Sequence, residues 1–270
     1  KAEYAFIDVG SGDGLDLPGN VFDIRVDKHR YHLMKFGANY QFGGKPQPAL
    51  QLHNWNGFYA GLVGGSAVAD ARGADPTGLA GGEIGNNGSG FTAGGLAGYN
   101  WQFAPAWVAG IEGDFSWLGI DRSAAQYNDF NPATPRNAML GVETNWLATL
   151  RGRIAYSTGP ALLYLTAGGA WADVRDSWQG SVGIGGGPLV SSTKTLSGYT
   201  VGGGIETVLA GNWTSRTEYL FVDVGKGDVL TSSTAVMQVD HKFHLFRSGL
   251  TYKFGSLSRR SEQQRECNFG

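Results

Sequence analysis

The chain has 270 residues, a formal net charge of −2 and a single cysteine, Cys267, which excludes an internal disulfide, a cysteine-clustered metal site and a basic nucleic-acid surface. No run of about 18 uninterrupted apolar residues occurs, so a transmembrane helix is excluded. The 44 glycines argue against helices, at roughly 1 kcal/mol per helical position relative to Ala, and the 12% aromatic content, with eight Trp, argues against disorder.

In chain order, "AEYAFIDVGSGD" from Ala2 and "VDKHRYHLMKFGANYQFG" from Val26 read as a β-hairpin. Both have relatives near the other end of the chain: "TEYLFVDVGKGD" from Thr217 and "VDHKFHLFRSGLTYKFG" from Val239. The sequence starts inside a strand pattern, so a secretory leader is expected to lie outside it. "GGKPQPALQLH" (Gly43–His53) then reads as a Gly/Pro linker between domains.

From Trp55 onward, period-2 alternation predicts eight strands, at Asn56–Val68, Gly90–Trp101, Ala106–Leu118, Gly141–Tyr156, Pro160–Ala172, Thr195–Leu209, Asn212–Val224 and Gln238–Phe254. Most exceed the five or six residues usual in soluble sheets and reach the length a tilted strand needs to cross a bilayer. Three connections are tight: "FAPAW", "YSTGPA" and "LAGNW". The other four are long and polar, as in Ala69–Gly90 and Asp173–Lys194. Sorting of loops by size is the signature of an outer-membrane barrel.

The strands have two unlike faces. In "WVAGIEGDFSW", Trp107, Ala109, Ile111, Phe115 and Trp117 alternate with Glu112 and Asp114. In "NWLATLRGRIAY", Trp146, Ala148, Leu150, Ile154 and Tyr156 oppose Asn145, Thr149, Arg151 and Arg153. Glu206 opposes Tyr199, Val201 and Ile205; Arg216 and Glu218 oppose Trp213, Tyr219 and Phe221. In the last strand Arg247 and Lys253 oppose Phe246, Leu250, Tyr252 and Phe254. A lumen charge network of Glu112, Asp114, Arg151, Arg153, Glu206, Arg216, Glu218, Arg247 and Lys253 is therefore expected. It would neutralise itself inside a barrel just wide enough for side chains to fill, giving a plugged interior. Trp101, Trp107, Trp117, Trp146, Tyr156, Trp171, Trp213, Tyr219, Tyr252 and Phe254 are expected at the lipid interfaces. A soluble lipocalin-like binding barrel with its faces inverted would show the same alternation, and alternation alone leaves it open.

"NWNGFYAGLVGG" (Asn54–Gly65), "GGLAGYNWQF" (Gly94–Phe103), "GIEGDFSW" (Gly110–Trp117), "WLATLRGRIAY" (Trp146–Tyr156), "LLYLTAGGAWADV" (Leu162–Val174), "YTVGGGIE" (Tyr199–Glu206), "RTEYLFVDVG" (Arg216–Gly225) and the closing "GLTYKF" (Gly249–Phe254) resemble the porin-like outer-membrane immunogenic proteins of Gram-negative bacteria. The resemblance implies an eight-stranded barrel of OmpA type with both ends periplasmic and four loops outside the cell. It implies insertion by the barrel-assembly machinery, which reads the last strand, and contact with outer-membrane lipid and lipopolysaccharide. Family members are surface antigens and envelope-stabilising proteins; some are described as porins, and a few relatives bind haemin. Loops of this kind also imply host or extracellular partners.

The expected architecture is all-β: an eight-stranded antiparallel up-and-down transmembrane β-barrel plus an extra N-terminal β-hairpin. Residues 1–43 would be a duplicate of strands seven and eight left from a preceding barrel, 44–54 a linker, 55–255 the barrel and 256–270 a polar periplasmic tail. Tyr4, Phe6 and Asp8 would answer to Tyr219, Phe221 and Asp223, and Lys35, Gly37 and Tyr40 to Arg247, Gly249 and Tyr252. A ten-stranded barrel that absorbs the hairpin, a small-solute channel, and a haemin- or ligand-binding surface protein are the alternatives.

Other motifs point to no chemistry. His29 with His32, and His241 with His244, are i, i+3 pairs that a strand sends to opposite faces, so they read as interfacial structural histidines and not as metal ligands. "GIGGGP" (Gly183–Pro188) and "VGGGIE" (Val201–Glu206) lack the following Gly-Lys-Ser/Thr of a phosphate loop. Asp121, Asp129 and Asp173 fall in predicted outer loops with no His near them, and Glu112 with Asp114 has basic partners for salt bridging. No enzyme, metal or cofactor is expected.

Overall fold

The structure, a computed structural model, describes residues 2–8, 12–13, 25–26, 30–36, 53–74, 83–120, 123–129, 136–182, 189–230 and 236–254. The chain divides into two units, Lys1–Ala49 and Leu50–Gly270. In the first, β1 (Ala2–Asp8) pairs antiparallel with β4 (Arg30–Phe36), and β2 (Gly12–Asp13) with β3 (Arg25–Val26).

The second unit holds β5 (Gly57–Ala74), β6 (Glu83–Ala104), β7 (Trp107–Ile120), β8 (Ser123–Asp129), β9 (Arg136–Ser157), β10 (Ala161–Val182), β11 (Leu189–Ala210), β12 (Trp213–Leu230) and β13 (Val236–Lys253). β7 and β8 both pair with β9 and form one stave. Each later strand pairs with its predecessor, and β13 pairs with β5 from Gln238↔Ala74 to Lys253↔Tyr59. The ring therefore closes at eight antiparallel staves, while β8 is laddered on its β9 side only among the described strands. The ten-stranded alternative does not form, because β5 and β13 already satisfy each other's ladder groups.

The strands are longer than their composition predicts: β6, β9, β10 and β11 each run 22 residues. Much of the polar stretch Ala69–Gly90 is strand, up to Ala74 and again from Glu83. Asp129 lies in β8 and Asp173 in β10, not in loops, while Asp121 lies outside the described residues. The physical reason is that an antiparallel pair already in register gains hydrogen bonds as it lengthens, whatever its side chains. Polar composition marks where lipid contact stops, not where the ladder stops.

The tight turns sit where the sequence places them, and two need the left-handed backbone that glycine supplies, Gly159 (φ 91°) and Gly211 (φ 56°). One bulge overturns an expected orientation. Ala172↔Leu147 is followed by Val174↔Thr144, so Asn145 and Trp146 together face a single residue of β10. The extra residue flips the parity, and Asn145, read as facing inward with Thr149, is exposed on the outside, bonded to Asp173 at 3.2 Å.

The first unit repeats the register of the last hairpin. Glu3↔Lys35, Phe6↔His32 and Asp8↔Arg30 stand where β12 and β13 have Glu218↔Arg247, Phe221↔His244 and Asp223↔Lys242. Gly12↔Val26 likewise matches Gly227↔Val239. The N-terminal copy carries one extra residue between Val26 and His32, and the pairing is the same on both sides of it.

Candidate functional site

Alternate residues of every stave point into the ring, and what fills it changes along the axis. At the tight-turn end the segment just before β5 folds into the mouth. Trp55, which sequence places at the head of the barrel, is not in a strand; it is 1% exposed and packs on Val108, Ala155, Leu162 and Tyr164. Its indole N–H donates to Ser157 Oγ at 3.0 Å, and its backbone N–H to Gln102 Oε1 at 3.0 Å. His53 stacks edge-on against Trp55 at 4.8 Å between centroids. Burial and the nearby Lys253 ammonium push the His53 pKa below its usual 6.5.

Above Trp55 lies an ionic layer. Arg216 bridges Glu112 at 2.7 Å and Glu218 at 3.1 Å; Arg151 bridges Glu112 at 2.5 Å, Asp114 at 3.0 Å and Glu218 at 3.4 Å. Arg247 bridges Asp114 at 2.7 Å and Glu218 at 2.6 Å, and Arg153 bridges Glu206 at 3.1 Å and Glu112 at 3.5 Å. All eight are buried. Four guanidinium groups face four carboxylates, so the layer is neutral. Neutrality with multiple hydrogen bonds is the condition under which buried charge is tolerated. The arginines engage through their terminal nitrogens and, in Arg247, also Nε; the Nε–H groups of Arg151, Arg153 and Arg216 have no partner in the described residues.

Lys253 is not part of this layer. It is buried too, but its ammonium donates to the backbone carbonyl of Asn54 and makes no ion pair among the described residues. The reason is position: Lys253 sits at the mouth, level with the folded-in segment, three inward positions from Arg247 along β13.

Neutral polar side chains complete the layer, and of these the sequence placed only Thr149 on the inward face. The Tyr59 hydroxyl donates to Glu112 at 2.8 Å and accepts from Arg153 at 3.0 Å; the Tyr164 hydroxyl donates to Glu218 at 3.0 Å and accepts from Arg216 at 2.9 Å. The Arg153 guanidinium lies 4.2 Å over the Tyr164 ring. Thr149 donates to Asp114, and Thr214 to Glu206 at 2.7 Å. Small residues make room for the rings: a Cβ on Gly98 would come within 2.5 Å of the Tyr59 hydroxyl, and one on Gly204 within 2.7 Å of that of Tyr164. This accounts for the last glycine of "VGGGIE".

Higher still, the interior turns apolar. Leu118, Leu147, Ala170, Val174, Leu220, Val222, Phe243 and Leu245 form a continuous buried cluster that the sequence reading did not foresee. At its outer limit His241, read as an interfacial structural histidine, is buried inside the ring and bonded through Nε2 to Asp176 Oδ2 at 3.2 Å. Asp176 reaches it past two intervening strands through the space left by Gly227, where a Cβ would stand 2.8 Å from Asp176 Oδ2. His244 faces outward with Nδ1 2.7 Å from the Tyr219 hydroxyl; His29 lies outside the described residues.

The outer surface is apolar over one band. On β10 it runs from Leu163 to Trp171, all outward residues of which are apolar or Gly, before Asp173 and Arg175. At about 3.3 Å per residue and a tilt near 40°, that stretch rises roughly 20 Å, close to the ~25 Å band of bacterial barrels. Trp101, Trp107, Trp117, Tyr156, Trp171, Trp213 and Phe254 are exposed on this surface, while Trp146, Tyr219 and Tyr252 lie on it half-buried against neighbouring rings. Phe115 stacks on Trp146 and Trp213 meets Tyr252 edge-on. Arg151, Glu112 and Arg216 are inside the ring, and Trp107, Phe115 and Phe254 outside it.

A family model described as "Outer membrane protein beta-barrel domain" matches residues 41–254. The chain belongs to this outer-membrane β-barrel family. Its relatives include the 31 kDa outer-membrane immunogenic protein of Brucella melitensis biotype 1, 29% identical over 213 residues that cover 76% of this chain and 86% of the relative. The 22 kDa outer membrane protein of Rhizobium leguminosarum bv. viciae is 33% identical over 183 residues, covering 67% of this chain and 70% of the relative. Neisserial surface protein A aligns with 73% of this chain and 97% of its own at 18% identity, with a TM-score of 0.35. The family places the protein in the outer membrane of Gram-negative bacteria. Its exposed outer band accordingly faces lipid, and the lipocalin-like inversion of the two faces falls away.

Proposed function

We propose that this protein is a non-enzymatic, surface-exposed structural component of the outer membrane whose lumen is sealed. The observation that carries this reading is the ionic layer, in which four guanidinium groups and four carboxylates fill the cross-section with no exposed member. Trp55 below it and the apolar cluster above it add two further barriers to water. The relatives reported above are named as outer-membrane and immunogenic proteins, which supports a surface antigen presented by the outer loops.

Further features of the reading follow the fold. The outward aromatics hold the barrel in lipid and lipopolysaccharide, the last strand ending at Phe254 is read by the barrel-assembly machinery, and the loops meet partners outside the cell. Residues 1–43 are a second copy of the closing hairpin, joined by the 44–54 linker and followed, after the barrel, by the 256–270 tail. The shared register on both sides of the extra residue supports this duplication.

Planar-bilayer recording of the purified full chain tests the sealed lumen. The expected record is flat. Stable single-channel steps would replace this reading with the small-solute channel.

A further inference from the structure

One wall of the barrel differs from the rest within the lipid-facing band. On β7, β9 and β10 the outward side chains there include Ile111, Phe115, Leu150, Ile154, Leu163 and Leu165, all about half exposed or more. On β12, β13 and β5 the same levels include Ser215, Thr217, Ser248 and Ser66 beside Tyr219, Phe246, Leu250 and Leu62. Thr217 and Ser248 bond each other across the strands at 3.1 Å, while the Ser66 and Ser215 hydroxyls have no partner among the described residues. An acyl chain offers a hydroxyl nothing, whereas a facing protein surface offers another hydroxyl; small and hydroxylated residues are what membrane proteins place where two of them touch.

The same wall is hollowed. A concavity of about 640 Å³ lies over Ala60, Gly64 and Gly249, with Leu62, Leu250 and Tyr252 at its borders. Leu62 projects from this surface with 73% exposure. A projecting leucine beside a hollow is the arrangement by which a surface fits a rotated copy of itself.

Above the band, the seam carries both signs of charge in a fixed order. Lys242 stands opposite Asp70, and Asp240 opposite Arg72. If a two-fold axis runs along the membrane normal in front of this seam, β13 of one copy faces β5 of the other at the same height. Arg72 then meets Asp240 of the second copy, and Lys242 meets its Asp70. Within one copy Arg72 already pairs with Asp70 at 3.4 Å and Lys242 with Asp240 at 3.1 Å; across the axis each charge meets a second opposite one and no like charges collide, which an isologous interface requires.

We propose that the β12–β13–β5 wall is the contact through which two copies of this chain pair side by side in the outer membrane. Lipid alone is the competing occupant, and its acyl chains do not match the hydroxyls.

The test uses the full chain folded into phospholipid vesicles, with Cys267→Ser as background and a new thiol at Ser248→Cys or, on the opposite wall, Ile154→Cys. On oxidation the Ser248→Cys protein should give about tenfold more covalent dimer than Ile154→Cys, the excess expected for about 1.4 kcal/mol of preferred orientation. Arg72→Asp added to Ser248→Cys should reduce the dimer severalfold, and Asp240→Arg added to that should restore it. Equal cross-linking at the two sites, a lipid-bearing monomer by native mass spectrometry, or a charge swap that fails to restore the dimer overturns the proposal.

Discussion

Four guanidinium groups and four carboxylates meet in the barrel interior, whereas a few residues further along the same strands Leu220, Leu245, Val222 and Phe243 point into the same cylinder. Lipid dictates the outer face of both regions equally, so the difference reflects what the inside needs. A slip of one residue in the ionic region would carry Arg216 and Glu218 into hydrocarbon. The same slip in the apolar region exchanges Val222 for Phe221 on β12, but on β13 it puts Lys242 or His244 in the place of Phe243. The ionic layer thus specifies register at every strand it uses, and the apolar layer only where a charged residue flanks it.

The largest expected effect comes from breaking the ionic layer at its most connected acid. Glu218→Ala leaves Arg151, Arg216 and Arg247 short of a partner and the Tyr164 hydroxyl without its acceptor. Urea titration of the protein in vesicles should show a loss of about 3–5 kcal/mol, the cost typical of removing one side of a buried ion cluster. In the apolar region Leu245→Ala should cost about 2–4 kcal/mol by the same assay, through lost burial and the cavity left behind. A larger loss from Leu245→Ala than from Glu218→Ala would reverse the roles assigned to the two layers.

A smaller effect is expected where the apolar region ends. Gly227→Ala would force a methyl group to 2.8 Å from Asp176 Oδ2 and 3.3 Å from His241 Nε2, and Asp176→Asn would weaken the bond between them. Each should cost on the order of 1 kcal/mol, the worth of one buried hydrogen bond. Their effects should not add, since both act on one contact. Additive losses in the double variant would mean that the Asp176–His241 bond is not what Gly227 protects.

What the sequence revealed follows from the same contrast. Arg151, Glu112 and Arg216 alternate with Leu150, Ile111 and Trp213 or Tyr219, so opposite character at period 2 exposed both faces at once. "YLFV" (Tyr219–Val222) is apolar or aromatic on both faces, and nothing in it separates the inward Leu220 and Val222 from the outward Tyr219 and Phe221. Phe58 and Tyr59 are both aromatic, so the sequence did not say which one enters the lumen. Asn145 was misplaced because a bulge changes parity without a compositional mark. Asp176 and His241 lie far apart in the chain within stretches that read as loop and loop edge, and only the ladder's continuation brings them together. Lys253 shares the parity of the network but not its height, and parity carries no information about height.

The smallest expected effect tests the folded-in mouth, which neither layer explains. Burial and the Lys253 charge hold the His53 pKa below 6.5, so the unfolded chain binds the proton more tightly than the folded one. The contribution of neutral His53 is therefore fully present above about pH 6.5 and is lost as pH falls from there toward the lowered folded value. The urea midpoint of the wild-type protein should drop between pH 7.5 and pH 5.5 by more than that of His53→Gln, whose side chain cannot titrate. The shift should be small, since His53 is only partly buried and solvent screens its charge. Equal drops in the two proteins would mean that His53 takes up its proton without leaving Trp55, and that the stopper at the mouth tolerates charge.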